Sequence, residues 1–151
     1  GDARWSILRD EYDGLTLPLG INGDLVTTDD IRMKAHEFPR AEEIMVGRAL
    51  IADPALFRKA RGGAPATASE IREFHHALFE AYDRLFESRK NAMMRMKEYW
   101  FYQLALYDES ERPAKEIFKS KTPEAFADAV RRLVETCPLR RDARAPWYKP
   151  L

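Results

Sequence analysis

Between Leu17 and Arg48, two short apolar segments, Leu17 to Ile21 and Glu43 to Gly47, each run into a polar turn that carries a glycine. The first turn is Asn22-Gly23-Asp24 and the second is Gly47-Arg48. Between them, Thr27 and Thr28 precede Asp29, Asp30 and an apolar pattern of Ile31, Met33 and Ala35, which reads as the start of a helix. The order strand, turn, helix, strand, turn, helix is that of a βαβα unit, whose two strands must run parallel. Neighbouring parallel strands bring their C-terminal turns side by side, and backbone N–H groups at glycine turns and helix N-termini suit an anion. A phosphorylated cofactor is the first function this spacing predicts.

Past the second turn, Asp53-Pro54 looks like an N-cap followed by proline at the first helical position, and the helix it opens stops at Arg61-Gly62-Gly63. Ala64-Pro65-Ala66 then reads as a linker, and Thr67 with Glu70 three positions on forms a capping box. From here the periodicity is helical throughout. Ile71, Phe74, Leu78, Tyr82 and Leu85 form one inward stripe, and Met93, Met96, Trp100, Leu104 and Tyr107 form another. These two helices should fold back on each other across Ser88 to Asn91. A third helix is expected near Arg112-Pro113, and a fourth after Thr122, with Phe126, Val130 and Leu133 inward. The expected organisation is a strand-helix part over 1–63, a linker over 64–66, a four-helix bundle over 67–136 and an irregular tail over 137–151.

Several functions find no support in the residues. No apolar run approaches the roughly 20 residues of a membrane span, no signal peptide is legible, and a single cysteine rules out an internal disulfide framework. Cys137, just before Pro138, reads as an inert thiol. His75 and His76 are adjacent, so on a helix they diverge by about 100° and cannot readily grip one ion; His36 stands alone, and all three read as structural or surface histidines. Asp29 and Asp30 complement a helix dipole rather than forming a catalytic carboxylate pair. A cytoplasmic protein is expected.

The run from Leu17 to Phe57, with its INGDLVTTDD and VGRALIADPALF, resembles the last two strand-helix units of the flavin barrel in tRNA-dihydrouridine synthases. Gly1 to Trp5 is similar to the segment that enters the preceding helix of that family, and Arg95 to Tyr107 and Lys115 to Val130 resemble its C-terminal helical domain. The resemblance implies an α/β fragment of a (β/α)8 barrel followed by an all-α bundle, with about a quarter of the barrel present. It implies FMN as cofactor, NADPH as hydride source and tRNA as partner. Asn22, Gly23 and Asp24, with Gly47 and Arg48, would then lie against the phosphate and ribityl end of FMN. Glycine permits close backbone approach, and a guanidinium can fork onto phosphate. By themselves the same residues also allow Asp24 to cap its own turn and Arg48 to pair with an acid. The family's catalytic cysteine would fall in the portion of the barrel that precedes this sequence, leaving no catalytic residue here. On that reading the chain alone should retain no flavin and should self-associate through exposed strand edges.

The 25 basic and 25 acidic residues cancel, yet the charge is unevenly spread. Arg89, Lys90, Arg95 and Lys97 form a stretch without an acid, and Arg112, Lys115, Lys119 and Lys121 are opposed only by Glu116. On charge alone this is a solvated helix face; the resemblance makes Arg89, Lys90, Arg95 and Lys97 candidate contacts to tRNA phosphates. Arg95 and Lys97 lie off the Met93/Met96/Trp100 stripe, so either should be removable at no more than about 0.5 kcal/mol. Some relatives carry Arg-Lys-His where this chain has Arg95-Met96-Lys97, which leaves the modified uridine open. Two other readings remain: the end of a different FMN- or phosphate-binding barrel oxidoreductase, and a non-enzymatic helical RNA-binding or assembly module.

Overall fold

The structure, a computed structural model, describes residues 3–144; Gly1 and Asp2 of the opening segment and residues 145–151 of the expected tail lie outside the described residues. The first part runs α1 (Trp5–Glu11), a short 3-10 turn, β1 (Leu19–Asn22), α2 (Thr28–Glu37), β2 (Ala41–Met45), α3 (Arg48–Ala52) and α4 (Leu56–Ala60). β1 and β2 pair in parallel with Ile21 opposite Ile44 and Asn22 opposite Met45, as the βαβα pattern requires. Leu17 and Pro18 stay outside the strand, where a proline lacking its N–H does no harm. Ile21 is buried with Tyr12 and Phe38, whose rings meet edge to face at 5.0 Å. The opposite face of the sheet, with Gly20, Asn22, Glu43 and Met45, is exposed. Among the described residues no third strand joins either edge.

α2 begins with a closed capping box. The Thr27 hydroxyl accepts the Asp30 N–H at 3.1 Å, while the Asp30 carboxylate accepts the N–H groups of Thr27 at 2.7 Å and Val26 at 3.0 Å. Of the three apolar positions expected inward on this helix only Ile31 is buried; Met33 and Ala35 face solvent. Their place is taken by Lys34, whose stem and charge lie over the Trp5 ring at 4.4 Å, and by Phe38. A lysine can cover apolar surface with its stem while keeping its charge near water, which a reading by hydrophobicity misses.

The second part is α5 (Ala68–Phe86), α6 (Arg89–Gln103), α7 (Glu111–Lys119) and α8 (Pro123–Thr136). Thr67, Ser88 and Thr122 each accept an N–H from the first turn of their helix. α5 packs along α6, α7 along α8, and both α5 and α6 touch α8. Met93, Met96, Trp100, Ile117, Phe126 and Leu133 are fully buried. On α5 the inward stripe is rotated from expectation: Ile71 and Phe79 are buried, whereas Phe74 and Leu85 are exposed. The omitted member of the true stripe is His75, whose Nδ1 accepts the Trp100 indole N–H at 3.0 Å.

The two parts are tied together by polar contacts. Arg58 of α4 forks onto Glu70 of α5 at 2.6 and 3.0 Å and also donates to the carbonyls of Ala64 and Pro65, fixing the segment between them. Gly62, at φ +87°, takes the left-handed conformation that ends α4. Asp53 departs from its expected role: α4 starts at Leu56, and the Asp53 carboxylate, 1% exposed, caps a tight turn by accepting the Ala55 N–H. Its other oxygen faces the ammonium of Lys59 at 2.5 Å. Lys59, itself 5% exposed, also meets Asp142 at 2.7 Å and donates to the Arg141 carbonyl. Burial alone would raise the Asp142 carboxyl, but the hydrogen bond and charge of Lys59 outweigh it and hold the group below its usual range.

Removing one member of a buried ion cluster leaves its partners uncompensated, which typically costs about 3–5 kcal/mol. Lys59→Met should therefore destabilise the protein by about that much in urea unfolding. Asp142→Asn should cost clearly less, since Asp53 remains to balance Lys59. Equal and small losses for both would remove the cluster from the interactions that hold the fold.

Candidate functional site

At the C-terminal ends of β1 and β2, the residues Asn22, Gly23, Asp24, Gly47 and Arg48 line one cleft of about 260 Å³, together with Leu25, Val26, Met45, Val46 and Ala49. Parallel pairing brings them together, because Asn22 sits opposite Met45 and both chains turn immediately afterwards. Gly23 has φ +149°, and a Cβ there would stand 2.7 Å from that of Ala3, so the chain's own packing demands this glycine. Gly47 differs. A Cβ on it would meet no atom within 4 Å, so no steric neighbour accounts for the missing side chain.

Asp24, in the left-handed region at φ +41°, accepts the Ala3 N–H at 2.8 Å and stands 3.6 Å from the Arg48 guanidinium. Arg48 is half-exposed, and 3.6 Å is too long for a strong charge-assisted hydrogen bond, so the pair is a loose tether. The expected contribution of the α2 N-terminus is smaller than the sequence implied. Its capping box already occupies the Asp30 N–H, and Asp29 and Asp30 bring negative charge to the first turn. The cationic character of the cleft therefore rests on Arg48.

The four basic residues of α6 are not equivalent. Arg89 pairs with Asp83 at 3.0 Å and Glu80 at 3.5 Å, and Arg95 pairs with Glu98. Lys97 donates to the carbonyls of Ser120 at 2.6 Å and Phe118 at 3.1 Å, closing the C-terminal end of α7, and partial burial lowers its pKa. Lys97 is thus built into the bundle, and the expectation that it could be removed at almost no cost does not hold. Lys90 is exposed and makes no ion pair among the described residues. The Glu98 three positions after Arg95 could have been read as a pair on the expected helix, whereas the orphan carbonyls that Lys97 meets belong to another helix and could not.

Residues 1–136 match the family model described as Dihydrouridine synthase (Dus). The chain belongs to the dihydrouridine synthase family. That family consists of tRNA-modifying oxidoreductases, which accords with the sequence resemblance and with the two-strand, mostly helical architecture. None of the curated proteins compared with the chain matches it. In this dihydrouridine synthase chain no described helix is long and apolar enough to cross a membrane, and no described group of three or more His, Cys, Asp or Glu side chains is placed to hold a metal ion.

His75 and the cysteine are accounted for by packing, while His36 and His76 are exposed. His75 lies among the rings of Trp100, Phe126 and Phe79 at 5.6, 5.8 and 6.4 Å. Cys137 is buried near the Glu109 carbonyl, 3.7 Å from its sulfur. Burial, with a smaller contribution from the neighbouring His76 charge, pulls the His75 pKa down to about 4 from its usual 6.5. The unfolded chain takes up this proton near pH 6.5 and the folded chain only near 4, so folding stability should fall as pH drops through that window. The loss from this group should reach about 3 kcal/mol and be complete below the lower value. His75→Gln, which keeps an acceptor for Trp100 and has no such proton to gain, should flatten the decline seen by urea unfolding between pH 7 and 4.5. An unchanged decline would mean that other groups govern acid sensitivity.

Proposed function

We propose that this chain forms the C-terminal part of an FMN-dependent tRNA-dihydrouridine synthase of the cytoplasm. Residues 1–63 would supply the last two strand-helix units of a (β/α)8 flavin barrel, and residues 67–136 a helical domain that holds tRNA. The observation that carries this reading is the family match over residues 1–136, joined to the convergence of both glycine turns on one cleft. The open sheet face and unpaired strand edges support it, since barrel strands are closed on both sides in the complete fold.

The cleft suits the phosphate end of FMN and not the whole molecule. Its 260 Å³ lies below the roughly 300–1,000 Å³ of pockets that enclose a drug-sized ligand. Gly47 leaves open space that a side chain would otherwise fill, and Arg48 supplies a half-exposed guanidinium beside it. Asp24, held by the Ala3 N–H, keeps Arg48 near the turn until a stronger anion competes for it. Asn22, exposed on the open sheet face, offers an amide for hydroxyl groups of the ribityl chain. When bound, FMN supplies the hydride that reduces the uracil C5–C6 bond, with NADPH as the ultimate donor.

On the helical side, Arg89 and Lys90 would contact tRNA phosphates, with Lys90 unencumbered and the half-exposed Arg89 shared with its partly buried partners Asp83 and Glu80. Lys97 keeps its place at the end of α7. Cys137, packed behind α8, takes no part in proton transfer; that role belongs to a residue elsewhere in the enzyme.

Arg48→Ala in the intact enzyme should remove a charge-assisted phosphate contact of about 1.5–3 kcal/mol, a loss of roughly 10- to 150-fold in FMN affinity. Flavin absorbance after purification and dialysis measures it. Full retention of flavin would take Arg48 out of the site.

A further inference from the structure

A second cleft, of about 450 Å³, is lined by residues of α3, α5 and α6, and it shares Gly47 with the phosphate cleft. Phe74, Leu78 and Tyr82 line it from α5, Tyr99 and Tyr102 from α6, and Ile51 from α3. This explains why α5 is rotated from the expected stripe. Its Ile71/His75/Phe79 row faces the bundle, and Phe74, Leu78 and Tyr82 line the cleft, with Leu78 and Tyr82 also packed against the bundle core. Phe74 remains 45% exposed and Tyr82 and Tyr102 are partly exposed, while Tyr99, 8% exposed, backs the cleft from the core. The rings of Phe74 and Tyr99 stand 6.0 Å apart, inclined at 46°, and Arg95 and Glu98, paired with each other, also line the cleft.

We propose that this cleft receives an unstacked nucleobase of the RNA substrate, a nucleotide adjoining the one that undergoes reduction. The inference rests on the tRNA reading above and assigns a further site within it. Three features select a base over a peptide or lipid chain. Flat aromatic faces offer stacking that every base can use, and RNA read as single strand is held on aromatic side chains and arginine planes. Arg95 donates and Glu98 accepts, so the pair matches the alternating acceptors and donors along a base edge. The cleft adjoins the proposed cofactor turn at Gly47, which lines both, so a strand whose target nucleotide is drawn out toward the flavin would pass this wall. Arg95, taken from the sequence as a phosphate contact, is here a base contact.

The two assignments differ in salt dependence. Stacking releases no counterions, whereas a lost phosphate contact lowers the salt slope. Binding of an unmodified tRNA transcript to the intact protein should weaken about 5- to 150-fold in Phe74→Leu, with the salt slope unchanged, while Phe74→Trp binds within about threefold of the parent. Lys90→Ala should instead reduce the slope by about one. A transcript carrying 4-thiouridine should crosslink to peptides containing Phe74, Tyr99 or Tyr102. Unfolding curves of both Phe74 variants confirm that the fold is intact, as expected for a half-exposed ring. If Phe74→Leu binds like the parent and crosslinks map elsewhere while Lys90→Ala still lowers the slope, the base site is wrong and the tRNA reading stands. If the parent protein does not bind the transcript at all, both fall.

Discussion

The ammonium of Lys59 holds together pieces of chain that no local rule would join. It meets Asp53 just beyond α3, Asp142 more than eighty residues later and the carbonyl of Arg141, and Asp142 in turn accepts a 3.4 Å contact from Thr28 at the start of α2. Segment 139–144 is fixed from its other side by the bundle, through Arg140 to Asp108 at 2.6 Å and through backbone bonds to Leu106 and Ala105. It acts as a strap between the strand-helix part and the helices. Desolvating three charges is expensive, so the net stability gained over an apolar packing is small; what the cluster contributes is a single arrangement, because any displacement leaves a buried charge without its counterpart. Ala52, which belongs to the short helix after β2, lies in the bundle's core as a result.

Local chemistry was legible in the sequence. Thr67 and Thr122 stand at helix starts for a stated reason, an orphan N–H and an oxygen to accept it, and the structure has both caps; Thr27 and Ser88 cap as well, Ser88 inside the segment expected as a connection. The parallel strand pair followed from the order of elements, and the Met93/Met96/Trp100 stripe from its period. The failures share one origin. Lys34, His75 and Lys97 face inward or engage backbone carbonyls because of what another segment presents to them, and hydrophobicity scores all three as outward. The Asp53 cluster was invisible for a related reason: Lys59 is near in sequence, but Asp142, which completes the cluster, is distant along the chain, and each alone resembles a surface charge.

The candidate site shows a similar division. Which residues gather at the strand ends could be read from spacing, whereas what each does there depends on distances. Gly23 answers to Ala3 and Trp5, Gly47 to no steric neighbour, and Arg48 is tethered by an acid at a range where the attraction is weak. A strongly paired arginine would have to be freed from a good partner before meeting a ligand. A loosely paired one is kept nearby, at low energetic cost to its release.

The side-chain amide of Gln103, with no exposed surface, donates to the carbonyl of Ala52 at 3.0 Å and accepts the Tyr99 hydroxyl. Ala52 ends the short helix that Arg48 begins, and Gln103 ends the long helix that Arg89 begins. The two helices are therefore joined near their C-terminal ends by one buried amide. Gln103 is satisfied on both sides, so replacing it would orphan the Ala52 carbonyl and the Tyr99 hydroxyl inside the seam between the strand-helix part and the bundle.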